Sequence, residues 1–128
     1  MSPTRKPSQL LDDPEAHLPL TTLAFHILLA LADGRRHGYG IILDIEERTG
    51  GAMRLRSGTL YTAIQRLQND GLLEESEGPV GAAGRDDPRR RYYQMTPRGR
   101  KVARLEAARL ATMLQTARQK KLLKSLGS

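Results

Sequence analysis

The chain has 128 residues, a formal net charge of +7 and no cysteine. The length allows one small domain, or one domain with appendages, whose own core is modest enough to gain from a partner subunit. The missing cysteines exclude disulfides, thiolate metal sites and cysteine nucleophiles, and fit a reducing cytoplasm.

The charge is unevenly placed. Residues 85–128 carry 13 basic and 3 acidic side chains, and the rest of the chain is slightly acidic. Such asymmetry points to a polyanionic partner, nucleic acid or an anionic membrane surface, against the alternative of a solvated basic tail. No membrane span is expected, because the most apolar stretch, 18–32, is too short and contains Thr21, Thr22 and His26. No secretory signal is expected either, since residues 1–17 are polar and contain Pro3, Pro7, Asp12 and Asp13.

In chain order, residues 1–17 lack periodicity and read as a flexible arm. A first helix is predicted over 19–32, with Pro19 in its first turn and Leu23, Ile27, Leu28 and Leu31 at helical spacing. Asp33 and Gly34 stop it. A second helix is predicted over 38–49, burying Ile41, Ile42 and Ile45 and ending at Gly50 and Gly51. The third begins with Ser57 as its N-cap, carries the apolar stripe Leu60, Ile64 and Leu67, and ends at Asp70 and Gly71.

Two extended segments, 72–77 and 90–96, flank a Gly/Pro-rich loop over 78–88. In the second, Tyr93 and Met95 share one face and Tyr92 and Gln94 the other. Thr96 as N-cap and Pro97 at the first position then open a helix that runs to about residue 123, roughly 40 Å long. Val102, Leu105, Leu110, Met113, Leu114 and Ala117 fall on one broad side of it. A small three-helix domain cannot cover so long a stripe, whereas a second copy of the same helix can, so these six residues are the expected dimerisation face.

The order helix, helix, helix, strand, loop, strand, long helix specifies a fold that is mainly α with a small β-hairpin. It reads as a winged helix-turn-helix over 18–96 followed by a C-terminal dimerisation helix and tail over 97–128. Readout of a major groove needs a helix with one anchored apolar face and one short polar face. The third helix meets that need: Ser57, Thr59, Tyr61, Thr62, Gln65, Arg66 and Asn69 lie opposite the apolar stripe, and no carboxylate precedes Asp70. Arg66 suits guanine, Gln65 or Asn69 adenine, and Thr59, Tyr61 and Thr62 suit phosphates or thymine methyls. Arg85, Arg89, Arg90 and Arg91 cluster around the wing and suit a minor groove or phosphate backbone, partly opposed by Asp86 and Asp87.

The stretch 18–99 resembles the PadR family of bacterial transcriptional regulators. The resemblance lies in the apolar run 23–31, in His37, Gly38 and Tyr39, in Leu60 and Tyr61 followed by Asp70, Gly71 and Leu72, and in Tyr93, Met95, Thr96 and Gly99. It implies a dimeric repressor that binds a palindromic operator, in many members released by a small-molecule effector. It also implies that Tyr61 sits on the recognition helix and that His37 and Tyr39 open the second helix near the phosphate backbone. The short C-terminal region resembles members with a single dimerisation helix. Some short members hold flat aromatic drugs between tryptophans at the dimer interface, and this chain has no tryptophan.

No nucleophile elbow, phosphate-binding loop or paired acids occur, so the chain reads as no enzyme and no cofactor is expected. His17, His26 and His37 show no ligand spacing, so no metal is expected. A non-specific nucleic-acid binder and a winged-helix protein-interaction module are the alternative functions.

Overall fold

The computed structural model describes residues 13–78 and 91–124. Arg85, Arg89, Arg90 and most of the wing loop lie outside these residues, as do 1–12 and 125–128. The order of elements is a 3-10 turn Pro14–His17, α1 (Thr22–Ala30), β1 (Arg36–His37), α2 (Gly38–Arg48), α3 (Ser57–Asn69), β2 (Leu73–Ser76), β3 (Tyr92–Met95) and α4 (Pro97–Gln119).

Several boundaries differ from the sequence reading. Pro14–His17, assigned to an aperiodic arm, forms a helical turn capped by Asp13, whose side chain accepts from the Glu15 amide at 3.0 Å. The first helix starts at Thr22 rather than Pro19, because the Thr21 hydroxyl accepts from the Ala24 amide at 3.0 Å and fixes the first turn there. Ser57 is not a cap. It is the first helical residue of α3, behind an Arg56 N-cap that makes no side-chain cap bond. Thr96 caps α4 as expected, accepting from Gly99 N at 2.9 Å, with Pro97 first in the helix. That helix ends at Gln119, which makes it about 35 Å long.

The sheet has three strands where a two-stranded hairpin was expected. Its order is β1-β3-β2, antiparallel throughout, with Leu73 opposite Met95 and Arg36 opposite Tyr93. The added strand carries Arg36, whose Nε donates to Ala30 O at 2.8 Å and so ties the end of α1 to the sheet edge.

One core joins these layers. Ile27 and Leu28 of α1 and its C-cap Leu31, Ile41 and Ile45 of α2, and Leu60, Ile64 and Leu67 of α3 are buried together with Leu72, Leu73 and Tyr93. Val102 belongs to this core as well. Assigned above to the dimerisation face, it is fully buried within its own chain, because the first turns of α4 pack back on the domain. Leu105 and Leu110 are half-buried, while Met113 and Leu114 are 56% and 47% exposed, so an uncovered apolar stripe begins only beyond the domain's edge.

Two contacts fix where α4 leaves the domain. The Thr96 amide donates to Leu72 O at 3.1 Å and its hydroxyl to Gly71 O at 2.6 Å. Gly99 then passes so close to Leu72 that a Cβ would stand 1.8 Å from its carbonyl oxygen. Nine residues into the helix, the Glu106 carboxylate is buried and accepts from Leu20 N at 2.6 Å and from the Arg109 guanidinium. The bond from Arg109 is the main cause holding Glu106 below the usual carboxylate range, against the opposing effect of burial.

Candidate nucleic-acid interface

The core contacts of α3 decide which of its residues face outward. With Leu60, Ile64 and Leu67 buried, Ser57, Thr59, Tyr61, Thr62, Gln65, Arg66 and Asn69 are all exposed, as the helical period required. Asp70 is the C-cap and the first acid after Glu47, so the outward face of the helix is free of carboxylate repulsion toward phosphate. The Thr62 hydroxyl donates to Gly58 O at 2.9 Å, which leaves its oxygen available as an acceptor.

Tyr61 is held in place. It is 39% exposed, and its phenol lies over Gly38 at the start of α2, where a Cβ would meet the oxygen at 2.6 Å. Beneath it, burial pushes the Tyr93 phenol above its ordinary range, with the neighbouring Tyr61 adding to the shift, so Tyr93 stays neutral and serves as core.

His37 joins α2 to the sheet. Its Nδ1 accepts from Gly40 N at 2.9 Å as the helix N-cap, which puts the proton of the neutral ring on Nε2. The ring lies parallel to Tyr39 at 6.4 Å between centroids and edge-on to Tyr92 at 5.6 Å. Tyr39 itself is 62% exposed. Thus the structure brings His37 and Tyr39 to one place through stacking, and Tyr61 to the same helix start through Gly38.

The sequence reading passed over two side chains beside α3. Residues 53–56 lead into the helix: Met53 and Leu55 pack on the core, while the alternating Arg54 and Arg56 are exposed. That alternation of apolar and basic residues is a period-two pattern over four positions and was legible beforehand. It sets two cations before the N-terminus of α3, where the helix dipole also favours anions. On the wing side, Arg91 is exposed and pairs across the strands with Glu75 at 3.1 Å.

Arg48 and Asp44 are structural. Arg48 binds Asp44 at 2.7 Å, His26 O at 2.9 Å and His26 Nδ1 at 3.0 Å, clamping α2 on α1. Burial, and then Arg48, lower the pKa of His26, which therefore acts as a neutral acceptor. Among the described residues there is no group of three or more His, Asp or Glu able to hold a metal, and no helix long and apolar enough to cross a membrane.

The fold of four helices with a small three-stranded antiparallel sheet is one that known winged-helix proteins share with this chain. The profile of the transcriptional regulator PadR-like family matches residues 27–105. The chain belongs to the PadR-like family. That family is one of transcriptional regulators, not of enzymes. The transcriptional regulator Rv3488 of Mycobacterium tuberculosis is 36% identical over 75 residues, which cover 59% of this chain and 63% of the relative. The chain spans less than two thirds of the length of each curated relative it matches. A transcriptional regulator from Clostridium thermocellum is 26% identical, with a TM-score of 0.62 over 76% of this chain and 87% of that one. A PadR family transcription regulator from Clostridium difficile shares the fold, with a TM-score of 0.63 at 21% identity over 77% and 97% of the two chains.

Proposed function

We propose that this PadR-like chain is a sequence-specific DNA-binding repressor that acts as a homodimer on a palindromic operator and is released by a small-molecule effector. The observation that carries the reading is the outward face of α3, polar and free of carboxylates along its whole length. In this reading Gln65 and Arg66 contact base edges, while Ser57, Thr59, Tyr61 and Thr62 hold phosphates and set the helix in the major groove. His37 and Tyr39 meet the backbone from the start of α2, Arg54 and Arg56 meet it from the segment before α3, and Arg85, Arg89 and Arg90 of the wing reach an adjacent groove.

Residues 18–96 form the reading unit and 97–128 the dimerisation arm, with Leu110, Met113, Leu114 and Ala117 at the subunit contact. Two copies set two reading helices at a fixed spacing, which is what a palindrome requires. The cytoplasm is the compartment in which this role is exercised.

The test is fluorescence anisotropy on the DNA upstream of the chain's own gene, beside a scrambled duplex, at two salt concentrations. Preference for the native duplex that survives the higher salt supports the reading. Equal and salt-labile binding to both replaces it with non-specific phosphate binding.

A further inference from the structure

A groove of about 650 Å³ runs between α3 and the start of α1. Its walls are Leu20, Leu23 and Ala24 on one side and Ala63 and Leu67 on the other, with Arg66 at the rim. Ala24 and Ala63 are the short side chains among these walls and leave space that a larger residue would fill. Its volume and apolar lining are those of a small-molecule site, which typically adds only a few placed polar groups.

We infer that this groove binds an amphipathic monoanion, its apolar body along Leu20, Leu23, Ala24 and Ala63 and its head on the Arg66 guanidinium. Arg66 forms no ion pair among the described residues, and it stands where a head group would leave the apolar walls. Asp70, one turn further along the same rim, limits the charge that fits: one negative charge is balanced by Arg66, and a second meets the carboxylate.

The site bears on regulation through shared residues. Thr59, Thr62 and Arg66 line the groove and also belong to the outward face of α3. A bound anion withdraws Arg66 from DNA. The opposite wall is tied to α4, because the Leu20 amide is held by Glu106. This regulatory step rests on the DNA-binding reading above, whereas binding to the free protein does not.

The test is calorimetric titration of the free full-length protein with decanoate, 1-decanol and decylammonium, each below its micelle-forming concentration. The expected order places decanoate first, and Arg66→Gln weakens decanoate by about tenfold or more without changing 1-decanol. Ala63→Phe fills the groove and abolishes binding of both. Arg66 is exposed, so its variant keeps the fold and decides the matter if Ala63→Phe does not fold. Tighter binding of decylammonium, an unchanged decanoate affinity in Arg66→Gln, or no binding at all overturns the proposal. Loss of the dimer in a folded Ala63→Phe variant also overturns it, by making the groove a subunit contact. Anisotropy on DNA separates the two readings: decanoate binding without DNA binding removes the repressor and keeps the site, and DNA binding that decanoate leaves unchanged removes the regulatory step.

Discussion

The phenol of Tyr61 rests on Gly38, with room for a hydrogen and none for a methyl. One residue belongs to the proposed reading helix and the other opens the helix before it, so the contact sets the angle at which Tyr61 leaves the surface. Gly38→Ala gains less than the roughly 1 kcal/mol of helix propensity seen in a helix interior, because Gly38 is the first residue of α2, and it must push the phenol aside. We expect near-normal thermal stability with DNA affinity reduced about tenfold, a loss of about 1.4 kcal/mol, measured by melting and anisotropy on one preparation. Unchanged affinity would show that the position of Tyr61 is irrelevant to DNA binding.

Gly99 makes the opposite prediction. Its missing side chain faces the Leu72 backbone, which cannot swing away as a phenol can. Gly99→Ala forces α4 off the sheet and should cost about 3 kcal/mol or more, read as a shift in the urea midpoint. A midpoint within error of the parent would mean that the start of α4 repacks freely.

The two ends of α4 should respond differently. Val102→Asp places an unpaired charge in the core and is expected to unfold the domain, seen by circular dichroism. The double change Met113→Glu and Leu114→Glu is expected to keep the helical signal and convert a dimer to a monomer in light scattering. If that variant remained dimeric, another surface would have to join the subunits.

How much of this was legible follows from the same helix. Periodicity located the apolar stripe of α4 but did not say which core it serves: Val102 enters its own domain, and Met113 faces outward. The burial of Glu106 has no local sequence signal, because it depends on Leu20 N and Arg109, 86 positions before it and three after, which satisfy its oxygens. β1 was invisible because two residues carry no period, and its partners Tyr92 and Tyr93 lie more than fifty positions away. The outward face of α3, by contrast, followed directly from Leu60, Ile64 and Leu67, since three buried positions at helical spacing fix the remaining ones. Ser57 suits an N-cap by its identity, whereas the backbone turns into the helix one residue earlier, behind Arg56.

Acid should weaken the fold in two steps. His26 has a folded pKa below its ordinary 6.5, so its contribution is present above that value and is lost as pH falls through the lowered one. Glu106 has a folded pKa below its ordinary 4.5, so its contribution persists to lower pH and is lost as pH falls further through its own depressed value. Glu106→Ala leaves the Leu20 amide without its acceptor and should cost about 2 kcal/mol at neutral pH, with the lower acid step removed. Urea midpoints across a pH series report both steps, and an unchanged acid profile in Glu106→Ala would remove the assignment.

The central claim, that the outward face of α3 reads base sequence, is tested most directly by selection. A random duplex library is enriched on the parent protein and, separately, on Gln65→Ala and Arg66→Ala. We predict that the parent enriches a two-fold symmetric site and that each variant loses preference at matching base pairs in both halves, by about 1–3 kcal/mol per pair. Identical enriched sequences from all three proteins would contradict it and move the reading surface away from α3.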